Sequence, residues 1–109
     1  MYTSNFKEDI EIAVGEDAIL AVVILDPNIS TYTKDSRNLN PALCNIPLSW
    51  EQAAPLLDYS YEPGFGSMDC HDILVYTQSD VYYIHEYDGS TDIHSVPRNP
   101  PTQASNEPT

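Results

Sequence analysis

The dipeptide Asp88-Gly89 lies between two runs of alternating side chains, residues 81 to 87 and 91 to 96. A two-residue type I′ turn needs positive φ at both centre positions, and its twist matches that of the strands it joins. Aspartate tolerates that conformation and glycine adopts it freely. Centring the turn here pairs Tyr87 with Ser90, His85 with Asp92, Ile84 with Ile93 and Tyr83 with His94. Side chains alternate between faces along a strand. One face then carries Tyr82, Ile84, Glu86, Thr91 and Ile93, and the Ile84–Ile93 pair nominates it for the core. The other carries Tyr83, His85, Tyr87, Asp92 and His94, rings with apolar bodies and polar tips.

The rest of the chain is read around that hairpin. A third strand is expected over residues 72 to 77, joined to it by the weaker turn Ser79-Asp80. "AILAVVIL", 18 to 25, is a β-branched apolar run of strand length and reads as a buried central strand. Phe6, Ile10, Ala13 and Val14 fall on one helical face after a Ser4 or Asn5 cap, and Gly15 ends that helix. Ser49 followed by Gln52 is a capping-box pattern. It opens a second helix whose face is Trp50, Ala53, Ala54 and Leu57 and whose length Pro55 limits. Residues 26 to 48 read as a long irregular stretch, with a short strand expected around Thr31 to Thr33. The segment "YEPGFGSMD" reads as a loop. The expected fold is α+β, an antiparallel sheet of about four strands with one or two helices on one face. It forms a single acidic domain over 1–96, followed by a disordered proline-rich tail over 97–109 that has four prolines and little to bury.

Charge narrows the function. Seventeen acids face four bases on 109 residues, a formal net charge of -13. Such a surface repels nucleic acid and anionic membranes and attracts basic protein surfaces. The longest apolar run, Ala18 to Leu25, is far short of a membrane span. No signal-peptide pattern opens the chain, and two cysteines without CxxC spacing suit a reduced, cytoplasmic protein.

Catalytic chemistry finds thin support. In "CHD", 70 to 72, neighbours on an extended segment point to opposite faces, so Cys70 and His71 do not form a dyad. His85 and His94 are diagonal neighbours about 7–8 Å apart at the backbone, but local spacing supplies no third zinc ligand. "PGFG", 63 to 66, lacks the P-loop lysine and the dinucleotide-binding glycine spacing, and no calcium-loop pattern occurs. No cofactor and no catalytic residue is assigned. A small metal-dependent or thiol enzyme using Cys70, His71, His85 and His94 is the alternative, and a subunit of a larger assembly is a third reading.

In size and acidity the chain resembles the small inhibitors that phages use against host defence and repair proteins, including anti-CRISPR proteins and the DNA-mimicking uracil-DNA glycosylase inhibitors. "DILVYT", Asp72 to Thr77, is similar to a strand segment of the latter. The resemblance implies a non-enzymatic protein that occupies the basic nucleic-acid-binding surface of a host nuclease or CRISPR effector and does not bind nucleic acid itself. No functional residue is carried over from it. The residues expected to meet that partner come from this sequence: Asp69, Asp72, Tyr76, Tyr83, His85, Glu86, Tyr87, Asp88 and Asp92. The carboxylates imitate phosphates, and the tyrosines supply contact area at low entropic cost.

Overall fold

A computed structural model describes residues 3–27, 39–64, 66 and 68–98. The elements run β1 (Ser4–Asn5), α1 (Phe6–Val14), β2 (Ile19–Ile24), a 3-10 turn (Pro41–Leu43), β3 (Pro47–Leu48), α2 (Trp50–Leu57), β4 (Ser60–Tyr61), β5 (Ile73–Thr77), β6 (Asp80–Tyr87) and β7 (Ser90–Pro97). Five of the strands form an antiparallel sheet in the order β3-β2-β5-β6-β7, and β1 pairs with β4 in a small second sheet. The fold is α+β, as expected.

Local chemistry sets both helices. Asn5 caps α1 by accepting from the Glu8 N–H at 2.9 Å, and Glu8 and Asp9 sit in the first turn, where carboxylates complement the helix dipole. Gly15, at φ 68°, closes it by donating to the Glu11 carbonyl. α2 opens with a complete capping box: Ser49 Oγ accepts from the Gln52 N–H, and Gln52 Oε1 accepts from the Ser49 N–H. Pro55 has no N–H for the helix ladder, and α2 ends two residues later.

The core lies between the helices and one face of the five-stranded sheet. Phe6, Ile10 and Val14 from α1 and Ala53 and Leu57 from α2 bury against Val22, Ile24, Ile73, Val75 and Ile84. Phe6 is fully buried, tilted on Tyr59 with centroids 5.7 Å apart and edge-on to Tyr61 at 5.2 Å. At the hairpin, Asp88 and Gly89 take φ 51° and 83°, and every pairing expected from the turn is present. The loop after β4 straps the hairpin tip: the Thr91 N–H donates to the Pro63 carbonyl at 2.7 Å and the Gly66 N–H to the Gly89 carbonyl at 3.1 Å.

The antiparallel sheet of about four strands is present, with the short β3 added as a fifth at its edge, and two expectations are corrected. β3 is only two residues long and holds Pro47 at the sheet edge, so it offers no alternation to read. The loop expectation for "YEPGFGSMD" misses β4, whose Tyr61 pairs with Ser4 across about half the length of the chain. β2 is not buried on both faces: Val22 and Ile24 are buried, Ala21 and Val23 only partly, and Leu20 is exposed where the register with β5 shifts. Among the described residues both helices lie on one face of the sheet, so the other face of β2 lacks a helix above it. β7 reaches Pro97, and Arg98 continues the chain along the β5–β6 turn, its N–H donating to the Ser79 carbonyl and its Nη1 to the Thr77 carbonyl. The strand expected at Thr31 to Thr33 and the remainder of the tail lie outside the described residues. No helix among the described residues is long and apolar enough to cross a membrane.

Candidate partner-binding face

Among the described residues the helices take the Ile84–Ile93 side, and the opposite side of the β5–β6–β7 sheet presents its own side chains. Antiparallel register builds it in rows. Leu74, Tyr83 and His94 align across three strands, as do Tyr76, Val81 and Val96, and His85 stands opposite Asp92. The rings form a continuous ladder. Tyr83 meets His94 edge-on at 6.0 Å, His94 stacks on His85 at 4.2 Å and 13°, and His85 stacks on Tyr87 at 6.5 Å and 18°. The ladder runs from half-buried Tyr83 and His85 to Tyr87, which is 73% exposed at the hairpin tip. His85 Nδ1 is buried in this stack and has no hydrogen-bond partner among the described residues.

The expected contact residues separate into groups. Tyr76, Tyr83, His85, Tyr87 and Asp92 share this outer face. Asp88 lies in the exposed turn at its end. Glu86 pairs with Thr91 and so has the parity of the core face, but it is exposed near the tip. Asp72 stands one residue ahead of β5, half-buried; burial pushes its carboxyl above the usual carboxylate range, the Ile73 backbone N–H pulls it partly back, and nearby Asp26 raises it further. Asp69 is withdrawn from any contact surface: it is 6% exposed, and its Oδ2 accepts from the Glu62 N–H at 2.9 Å within its own loop. The acids and rings are therefore not evenly mixed. The middle of the outer face is aromatic and aliphatic, and carboxylates stand at its margin. His94, expected on this face opposite Tyr83 but not among the partner-contact residues, is the ring that joins Tyr83 to His85. The register already placed it beside them, but the closeness of the stack depends on side-chain rotamers.

The four residues of the thiol or metal reading do not converge. Cys70 and His71 are buried before β5. The Tyr59 hydroxyl accepts from the His71 N–H at 2.9 Å and lies 2.8 Å from His71 Nδ1, so that ring clasps the segment after α2 to the segment before β5. His85 and His94 lie on the outer face. Burial first, and then Asp26, push the Cys44 thiol up, away from the reactive thiolate. Among the described residues no three His, Cys, Asp or Glu side chains come together to hold a metal ion.

No protein-family model, no curated protein and no solved structure matches this chain.

Proposed function

We propose that this protein is a non-enzymatic acidic inhibitor that docks on the basic, nucleic-acid-binding surface of a partner protein, of the kind found in nucleases and CRISPR effectors. The ring ladder Tyr83–His94–His85–Tyr87 carries the proposal. It offers an aromatic centre with a carboxylate margin of Asp92 and Asp88, and Glu86 exposed beside the tip, the arrangement of an apolar interface core inside a polar rim. A net charge of -13 selects a basic partner and steers its approach. The rings then supply contact area, while the margin competes with phosphates for the partner's lysines and arginines. In this reading the imitation of nucleic acid is confined to the rim, and the centre of the contact is stacking and apolar burial.

The test is affinity capture from a bacterial lysate with wild-type protein and with the double variant Tyr83→Ser, Tyr87→Ser. The expected partner is a basic nucleic-acid-binding protein. It is released by high salt, displaced by duplex DNA, and lost from the double variant while that variant remains folded. A partner held equally by the variant, or one indifferent to salt and to DNA, would overturn the proposal. Retention through high salt with loss in the variant would instead assign the outer face to an apolar subunit interface.

A further inference from the structure

β7 ends the five-stranded sheet, so one of its edges has no neighbouring strand among the described residues. Its pairing with β6 runs without a bulge from Tyr87–Ser90 to Asp80–Pro97. Arg98 adds one more rung, its N–H donating to the Ser79 carbonyl. Backbone groups alternate in direction along such a strand, so those of the even-numbered residues point to β6 and those of the odd-numbered residues point outward. Thr91 shows the outward set in use: its N–H leaves the sheet and donates to the Pro63 carbonyl at 2.7 Å. The loop after β4 thereby closes one end of the edge. Past it, the Ile93 and Ser95 N–H groups have no hydrogen-bond partner among the described residues, and His94 to Pro97 are exposed. Sheet edges are commonly blunted by charges or bulges. Residues 93–97 carry neither, and Pro97 at their far end still presents a carbonyl.

The side chains of this strand are symmetric about Ser95. Asp92 and Arg98 are its two formally charged residues, and they stand at equal distances on either side of Ser95. Laid antiparallel on itself with Ser95 opposite Ser95, the strand sets Asp92 against Arg98, Ile93 against Pro97 and His94 against Val96. Opposite charges meet at both ends, and Ile93 meets a proline ring between them. Asp92 and Arg98 share the parity of the outer face and are both exposed. Arg98 Nη1 donates to the Thr77 carbonyl, which leaves further guanidinium donors for a carboxylate. The neighbouring register, with His94 opposite His94, would set Pro97 on Thr91, whose outward N–H Pro63 already takes, and would leave Asp92 facing Val96.

We propose that β7 pairs with β7 of a second copy of this chain, antiparallel about a two-fold axis at Ser95. The Ser95 N–H and carbonyl exchange hydrogen bonds with those of Ser95 of the second copy. Each Ile93 N–H donates to the other copy's Pro97 carbonyl, and an Asp92–Arg98 ion pair stands at each end. The axis is perpendicular to the sheet, so the two sheets become one and both ring ladders face the same way. Strand pairing of this length falls short of the roughly 1,200–2,000 Å² buried in a stable interface, and two copies of net charge -13 repel each other. The dimer is therefore weak, and salt strengthens it by screening the repulsion between whole chains. The pairing stands whether or not the outer face binds a partner.

The experiment is sedimentation equilibrium of the full chain at about 50 mM and about 500 mM salt. The expected result is a monomer–dimer equilibrium with a dissociation constant on the order of 100 µM, several-fold tighter at the higher salt. Ser95→Pro removes an N–H that points away from β6, so the amide spectrum should stay native while the dimer is lost. Asp92→Arg should weaken the dimer about fivefold although it lowers the net negative charge, and adding Arg98→Asp should restore it. Paired Cα atoms about 5.5 Å apart lie within disulfide range. Ser95→Cys should therefore form a cross-linked dimer on mild oxidation, and Gln78→Cys, exposed in the β5–β6 turn, should not. A monomer at every concentration and salt, a dimer that survives Ser95→Pro, or equal cross-linking through Gln78→Cys would overturn the pairing. Loss of the dimer in Tyr83→Ser, Tyr87→Ser but not in Ser95→Pro would overturn it too, by assigning self-association to the outer face. Salt tightens this dimer and releases the basic partner, so failure of the one proposal is distinguishable from failure of the other.

Discussion

His85 and His94 stack on the outer face with ring centroids 4.2 Å apart and planes 13° from parallel, although they lie on different strands and are not direct partners in the register. The hairpin makes them diagonal neighbours, and their side chains lean together across the strand gap. A proton above an aromatic face is shielded by the ring. His85→Ala should therefore shift the His94 ring protons downfield while the hairpin amides hold their positions. Unchanged His94 ring shifts would refute the stack.

Thr91 Oγ1 is buried on the core side of β7 and has no hydrogen-bond partner among the described residues, whereas Tyr61 Oη donates to Asp9. Removing a buried unpartnered hydroxyl at constant shape relieves its desolvation cost. Thr91→Val should stabilise the free protein by about 1 kcal/mol, read as a higher urea midpoint. Thr91→Ala, which also removes the methyl group, should show no such gain. A Thr91→Val protein less stable than wild type would mean that the hydroxyl is satisfied in the fold.

Asp72 carries a pH signature. Its carboxyl is raised from the ordinary 3.8, chiefly by burial, so the folded chain binds that proton more tightly than the unfolded chain does. The contribution of Asp72 to stability is therefore fully present below the unfolded value and is lost as pH rises through the raised folded value. Asp72→Asn, with no charge to desolvate, should exceed wild type in stability at about pH 7, and the difference should close near pH 3. Urea melts at both pH values decide it. A difference that does not change with pH would remove the electrostatic account.

The cysteines report on opening of the fold rather than on chemistry. Cys44 and Cys70 are 7% and 3% exposed, and the Cys44 thiol is pushed up by burial and by Asp26. A thiol reagent in excess should label the native protein slowly and the urea-unfolded protein at once, with the native rate following the opening equilibrium. Fast stoichiometric labelling of either residue under native conditions would revive the thiol reading.

Gly89 holds the register that brings the ladder rings together. At φ 83° an added Cβ meets nothing closer than the Gly66 Cα at 3.5 Å, so the cost of Gly89→Ala lies in the backbone conformation and not in a clash. It should lower stability by about 1 kcal/mol and broaden the His85 and His94 ring signals as the turn loosens. No change in stability would show that the turn does not need positive φ at this position.

Features that depend on near neighbours were legible in the sequence. A cap at Ser4 or Asn5, the Ser49 cap, the Asp88-Gly89 turn, the Tyr83–His94 and His85–Asp92 pairings and the division of the hairpin into two faces each follow from a few adjacent residues, because backbone conformation and strand alternation are local properties. Features that depend on distant partners were not. The position of both helices on the Ile84–Ile93 side, the pairing of β1 with β4, the Tyr61–Asp9 hydrogen bond, the clasp of Tyr59 on His71 and the burial of Asp69 each join segments whose encounter is decided by how the whole core packs. Composition likewise showed a charge of -13 but not its placement. The tertiary structure set the carboxylates at the margin of the outer face and left rings at its centre, because the helices cover the other side of the sheet.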